Sequence, residues 1–333
     1  MPPAAPVAVV IPSWNSRSLL PGCLDSLSGQ GVELEILVVD NGSEDGSVEY
    51  LRERDVAHLA LQHNTGFAVA VNLGVAKTAA PTVLVLNADA HLEPGCAAAL
   101  LAALDRDPGL GGVAPRILQT EAPPVPPAAA RLYSAGQALT ADGRAVEIGA
   151  GEAQGGASLG RREVFGVCGA ACLLRRDLFG QLGGYDESYF AFYEDVDLNV
   201  RARIAGWRFL YEPAAVAWHL GNASWQAEAE RPNAWNARLV ARNRIVTQAK
   251  FMSATAVPRI AAVEAGALGR AAGQRRLGAT ARGKLEGLAR LPRSLRERRR
   301  LARTGDLRLA RCWLGEWDAL FPSGGEENAP DRR

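Results

Sequence analysis

The sequence predicts an α/β fold: a mostly parallel central sheet with helices on both faces, followed by a helical C-terminal extension. Three observations predict it. Short apolar runs rich in β-branched residues, VAVVI at 7–11 and TVLVL at 82–86, read as strands buried on both faces. Helical spacing of apolar residues recurs between such runs, as parallel crossovers require. After about residue 222 the composition shifts to Ala, Arg and Leu.

Taken in order, Val7–Ile11 is the first strand, closed by Pro12, and Ser13–Ser16 is a loop. Arg17–Ser28 places Leu19, Leu20, Cys23, Leu24 and Leu27 at helical spacing. Glu35–Val39 is the second strand and ends in the turn cluster Asp40-Asn41-Gly42-Ser43. A helix over 45–54 leads to a strand near 57–61, and Asn64-Thr65-Gly66 opens a helix to about 79. Thr82–Leu86 is followed by Asn87-Ala88-Asp89. Residues 117–163 interrupt the pattern with a Pro/Ala-rich loop and a Gly-rich stretch, expected as short hairpins beside a cleft. Glu163–Leu174 is expected to return to the sheet as one strand, with Gly169 admitting a close approach. Residues 235–252 and 258–320 read as helices broken at Pro258, Pro292 and Gly305.

With 48% apolar and 22% charged residues, the 333-residue chain can bury a sizeable core. Its net charge of +1 hides an asymmetry: residues 1–225 carry 15 Lys+Arg against 25 Asp+Glu, and residues 226–333 carry 22 against 11. Two parts with different partners are expected, 1–225 and 226–333. The five cysteines fit no zinc spacing and read as reduced, buried thiols of a cytoplasmic protein. The N-terminal run lacks a basic region and is not expected to be a signal peptide.

Gly183–Asp197, GGYDESYFAFYEDVD, concentrates chemistry. Five carboxylates alternate with five aromatics. A solvated loop has no need of the aromatics, and a buried segment would not hold unpaired carboxylates. The combination suits a cleft where a carboxylate acts and a polar ring is gripped, with Tyr193 among the aromatics. The bland alternative is a helix start with acidic first-turn residues. In open α/β sheets ligands sit beyond the carboxyl ends of strands, where this chain has Asn15, Asp40, Asn64 and Asp89. No G-x-G-x-x-G follows the first strand, which disfavours a dinucleotide oxidoreductase. An acidic site that binds a phosphate ester usually does so through a divalent metal.

The set VVIPSWNS, VVDNGSEDGS, HNTGFAVAVNLG, VLVLNADAHLEPG and the 183–219 segment resembles glycosyltransferase family 2, in particular its rhamnosyltransferase-like bacterial members. The resemblance covers about residues 7–220. It implies the GT-A (nucleotide-diphospho-sugar transferase) fold, a nucleoside diphosphate sugar donor and Mg²⁺ or Mn²⁺. By resemblance Asp40 binds the base, although an Asx turn would also explain it. Asn15 and Asn64 lie near base or ribose. The family's D-x-D metal motif reads Asn87-Ala88-Asp89, so Asn87 is left on the nucleotide side and Asp89 is the acidic ligand. His219 matches the metal-side histidine. Asp195 carries over as the catalytic base with Glu194 beside it, kept ionised by its helix start. Asp197 is expected to pair with Arg201, and Asp186 to line the acceptor side with Tyr193.

The function so implied is an inverting transfer of a sugar, with dTDP-rhamnose as the leading donor, to a hydroxyl of a cell-surface or lipid-linked glycan. A catalytically weak sugar-nucleotide-binding protein is the rival. The basic extension, densest at 293–303, is expected to meet an anionic membrane at the inner face of the cell membrane, with a homo-oligomer contact as the alternative. No aromatic interleaving supports nucleic acid.

Overall fold

A computed structural model describes residues 6–120, 130–153, 160–221, 232–274 and 276–304. The strands are β1 (Val7–Ser13), β2 (Leu34–Asp40), β3 (His58–Ala60), β4 (Thr82–Leu86), β5 (Ala90–Leu92), β6 (Leu110–Gln119), β7 (Arg131–Ser134), β8 (Gln137–Leu139), β9 (Ala145–Glu147), β10 (Arg162–Val164), β11 (Ala171–Arg175) and β12 (Arg208–His219). The α-helices are α1 (Leu20–Asp25), α2 (Ser47–Glu53), α3 (Phe67–Lys77), α4 (Cys96–Asp105), α5 (Arg176–Leu182) and α6 (Glu194–Ile204), then α7 (Pro232–Phe251), α8 (Val257–Gly273), α9 (Leu277–Ala289) and α10 (Leu291–Thr304).

The main sheet runs β10-β12-β6-β11-β4-β1-β2-β3, with β5 paired to β12 and β7 to β6. The β4-β1-β2-β3 half is parallel, and β11 enters antiparallel between β4 and β6. Alternation along the strands explains helices on both faces. Val7, Val9 and Ile11 join one apolar layer with Leu100 and Leu104 of α4. Val10, Val83 and Val85 join the opposite layer with Ala68 and Val71 of α3. Gly74 lets α3 lie against β1, because a Cβ there would fall 2.3 Å from Val10 Cγ1.

Two expectations change. The helix expected over 17–28 contracts to α1, with Pro21 in its first turn. The single strand expected over 163–174 divides into β10 and β11. Its middle leaves the sheet at Gly166, where a Cβ would meet the Asn199 amide at 2.3 Å, and the Gly169 N–H turns to Asp195. Arg175 and Arg176 donate to the carbonyls of Leu104, Leu110, Val75 and Ala80, closing loop ends.

In the extension α7 starts at Pro232, three residues before the expected 235, and Pro258 falls in the first turn of α8; Gly305 onward lies outside the described residues. It is not a separate layer. Phe251 and Met252 share an apolar cluster with Val196, Val200 and Ile204 of α6, and with Leu139 and Phe165. No helix among the described residues is long and apolar enough to cross a membrane.

Candidate active site

A cleft of about 310 Å³ opens beyond the carboxyl ends of β1 and β4. It is lined by Ser13, Trp14, Asn41, Asn64, Asn87, Asp89 and His219, and also by Tyr193, Glu194 and Asp195. One cavity therefore takes in the phosphate-side and base-side groups that lie more than a hundred positions apart in sequence.

Asp89 and His219 meet because β5 pairs antiparallel with β12, setting His219 opposite Ala90. The Leu220 N–H then donates to the Asp89 carbonyl at 3.1 Å. His219 Nε2 lies 3.1 Å from Asp89 Oδ1 and 3.4 Å from Asn87 Nδ2. The Tyr133 ring stands edge-on to the imidazole, with centroids 4.6 Å apart. Asn87 Oδ1 is buried with no hydrogen-bond partner. A carboxylate, an imidazole and an orphaned amide oxygen form a donor set that suits a divalent cation whose remaining positions are filled by phosphate oxygens.

Asp195 is held on three sides. Its Oδ2 accepts from the Gly169 N–H (3.0 Å) and from Gln137 Nε2 (2.7 Å), and its Oδ1 accepts from the Val196 N–H (2.8 Å). Burial in the cleft pushes its carboxyl above the ordinary aspartate range, and these donors oppose the rise. The helix start alone therefore does not set its charge. Glu194 Oε2 is buried without a partner. Burial, then the neighbouring Asp195 charge, pushes that carboxyl well above the ordinary glutamate range.

Gln137 and Glu147 escaped the sequence reading. They sit on the β8–β9 hairpin inside the Gly-rich stretch, whose pattern placed it beside a cleft but singled out no side chain. Gln137 Nε2 also donates to Glu147 Oε1 at 3.0 Å. Its orientation is set from behind, because Asn199 Nδ2 donates to Gln137 Oε1 (2.8 Å) and to the Val167 carbonyl. Burial raises the Glu147 carboxyl to about 7.

The remaining sequence-derived residues sit as follows. Asn64 lines the cleft, and its Oδ1 accepts from the Gly66 N–H. Asp40 is buried outside the lining, accepting from the Ser43 N–H (2.9 Å) and hydroxyl (2.6 Å), three residues on. Asn15 also lies outside it, at φ +47°, with Oδ1 accepting from the Glu44 N–H. Asp186 is not among the residues that line the cleft: its carboxyl accepts from the Ser188 N–H and pairs with Lys250 at 3.0 Å. Asp197 pairs with Arg201 as its spacing foretold, at 2.6 Å.

The family model for glycosyl transferase family 2 matches residues 8–183, more than half of the chain. The chain belongs to glycosyl transferase family 2. Among curated proteins it is 32% identical over 208 residues to N-acetylglucosaminyl-diphospho-decaprenol L-rhamnosyltransferase of Mycobacterium tuberculosis, covering 56% of this chain and 66% of that protein. It is 33% identical over 227 residues to the pre-mycofactocin glycosyltransferase of Mycobacterium tuberculosis, covering 66% of this chain and 44% of that one. The chain thus spans less than two thirds of these relatives' length. Among solved structures it resembles GalNAc-T7 with UDP, GalNAc and Mn²⁺ (TM-score 0.54, 17% identity, 74% of this chain and 51% of that one). It also resembles the mannosyltransferase PcManGT of Pyrobaculum calidifontis with GDP-Man and Mn²⁺ (TM-score 0.50, 18% identity, 95% and 88%). As a family 2 member it has the GT-A glycosyltransferase fold, with the C-terminal helices added to it.

Proposed function

We propose that this family 2 glycosyltransferase transfers a hexose from a nucleoside diphosphate sugar to a glycan hydroxyl with inversion, using Asp195 as general base. The observation that carries the reading is the shared cleft, with Asp89 and His219 in the same 310 Å³ volume as Asp195. Rhamnose from dTDP-rhamnose is the donor we favour, because a curated rhamnosyltransferase is 32% identical, and a lipid-linked glycan is the acceptor we favour for the same reason.

Asp89, His219 and the amide oxygen of Asn87 would hold Mg²⁺ or Mn²⁺, which when bound neutralises charge growing on the nucleoside diphosphate. Trp14 and Phe67 offer flat walls to the nucleotide. Asp40, buried outside the lining, serves the nucleotide side by holding the Ser43 turn at the end of β2. Asp195 then removes the proton from the acceptor hydroxyl; its raised pKa makes it a stronger base once ionised. Glu194, whose buried Oε2 has no partner within the protein, faces the same cleft and is free to bond a sugar hydroxyl.

Calorimetry with a panel of nucleoside diphosphate sugars, with Mn²⁺ and with EDTA, tests the donor and metal together. Metal and donor are expected to tighten one another's binding by roughly ten-fold. Equal metal affinity with and without donor would contradict the assigned site.

Gln137→Leu removes a donor from the ionised form of Asp195. A hydrogen bond to the carboxylate lowers its pKa, so the loss raises it. Since the base works ionised, the acid limb of the transfer rate is expected to move to higher pH. An unmoved limb would separate Gln137 from the base.

The membrane contact is proposed for α9 and α10, where Leu285, Leu288 and Leu295 are exposed beside the arginines of 293–303. Sedimentation with anionic liposomes that shows no salt-sensitive association would remove it.

A further inference from the structure

Residues 189–193 take a costly path. Phe190, Phe192 and Tyr193 all have positive φ, at +66°, +67° and +71°, and Phe190 has ψ −67°. Non-glycine residues rarely adopt such angles, and each costs on the order of 1–3 kcal/mol unless its surroundings over-determine it. Here they do. Asn243 Nδ2 lies within hydrogen-bond distance of the carbonyls of Tyr189 (3.0 Å), Ala191 (2.8 Å) and Phe192 (2.7 Å). Arg242 Nη2 adds a second donor to Tyr189. The Phe190 carbonyl accepts from the Ala68 N–H. Asn243 is 1% exposed.

Asn243 belongs to one stripe of α7, with Val240, Thr247 and Lys250 at helical spacing. Val240 lines the cleft. Thr247 meets the Tyr189 hydroxyl at 3.0 Å, and Lys250 pairs with Asp197. The stripe thus touches the acidic, aromatic stretch along its length. Ala191, Phe192 and Tyr193 line the cleft, and Glu194 and Asp195 follow at once as the first turn of α6. A few tenths of an ångström at Phe192 would therefore be transmitted directly to the base.

We propose that Asn243, assisted by Arg242, is a positioning residue of the active site, holding the strained 190–193 turn so that Tyr193, Glu194 and Asp195 face the cleft. The extension is then part of the catalytic apparatus. This rests on the glycosyltransfer reading for its catalytic consequence but not for the restraint itself.

The test compares Asn243→Ala and Asn243→Asp with wild type in the full chain. Asn243→Asp keeps the shape and removes the donors, setting a carboxyl against three carbonyls. Hydrogen exchange is measured without ligand. Peptides spanning 189–195 are expected to exchange roughly ten-fold faster in both variants, with β1 peptides unchanged. Uniform acceleration across the chain, or an Asn243→Asp variant that exchanges like wild type, would overturn the proposal. Where Asn243→Ala does not fold, Arg242→Met removes the Tyr189 contact and the Nε donor to Asn243 Oδ1, and is read in the same way. In the turnover arm, dTDP–Mn²⁺ affinity is expected to hold while kcat for transfer falls roughly a hundred-fold. Faster local exchange with an unchanged kcat would also overturn it. A wild type that transfers no sugar defeats the functional reading and leaves the exchange comparison to decide the restraint.

Discussion

Replacing Asp195 by Asn is expected to leave donor binding intact and to lower transfer by roughly a hundred- to ten-thousand-fold, the range of a lost general base. The substitution is nearly isosteric. An Asn oxygen in the Oδ2 position would still accept from the Gly169 N–H and Gln137. Its amide nitrogen would face the Val196 N–H in place of Oδ1, losing one hydrogen bond of about 1 kcal/mol. The fold can absorb that, so a lost rate would report chemistry. Calorimetry with donor and Mn²⁺, paired with a transfer assay, separates the two. Transfer at a near-normal rate would remove Asp195 as the base.

Lys250→Met is expected to lower stability by about 3–5 kcal/mol, the range for breaking a buried ion pair by removing one partner. Lys250 is 2% exposed, and Asp197 is 0% exposed. Its ammonium pairs with Asp197, with Asp186 at 3.0 Å and with Glu297 at 3.1 Å. Methionine would fill the volume and take this cation from three carboxylates, though Arg201 stays on Asp197 Oδ2 and Arg293 on Glu297 and Asp186. Denaturant unfolding measures the loss, and Asp197→Asn in the same chain is expected to recover part of it. Acid sensitivity should change with it. Burial alone would raise the Asp186 carboxyl, but Lys250 and Ser188 hold it at about 2. A depressed carboxylate adds stability above its unfolded value of about 3.9, and that stability is lost as pH falls towards 2. The variant would lack this component, flattening its stability between about pH 4 and 2. An unchanged pH dependence would show that Lys250 does not govern Asp186.

Much of the sheet was legible because its signals are local. VAVVI and TVLVL lie on both faces of a parallel sheet and need no partner to be recognised as buried strands. The break between β10 and β11 was not legible. EVFGVCGAACLL is apolar throughout, and its departure from the sheet is decided by Asn199 lying over Gly166 and Asp195 drawing in the Gly169 N–H. Asp186 illustrates the opposite trap. Its place in the acidic stretch suggested the cleft, but a carboxylate beside a buried lysine turns to the lysine.

By itself the sequence determined the chain's class, its parallel sheet and the carboxylates at the strand ends and helix start, since propensity, periodicity and charge are properties of neighbours in the chain. Only the tertiary structure decided which of those groups share a cavity. The β5–β12 register brings Asp89 to His219, the β8–β9 hairpin lays Gln137 between Glu147 and Asp195, and α7 grips the turn that carries Tyr193. Each is a pairing across tens to more than a hundred residues, decided by packing and hydrogen-bond satisfaction in three dimensions, which no local pattern encodes.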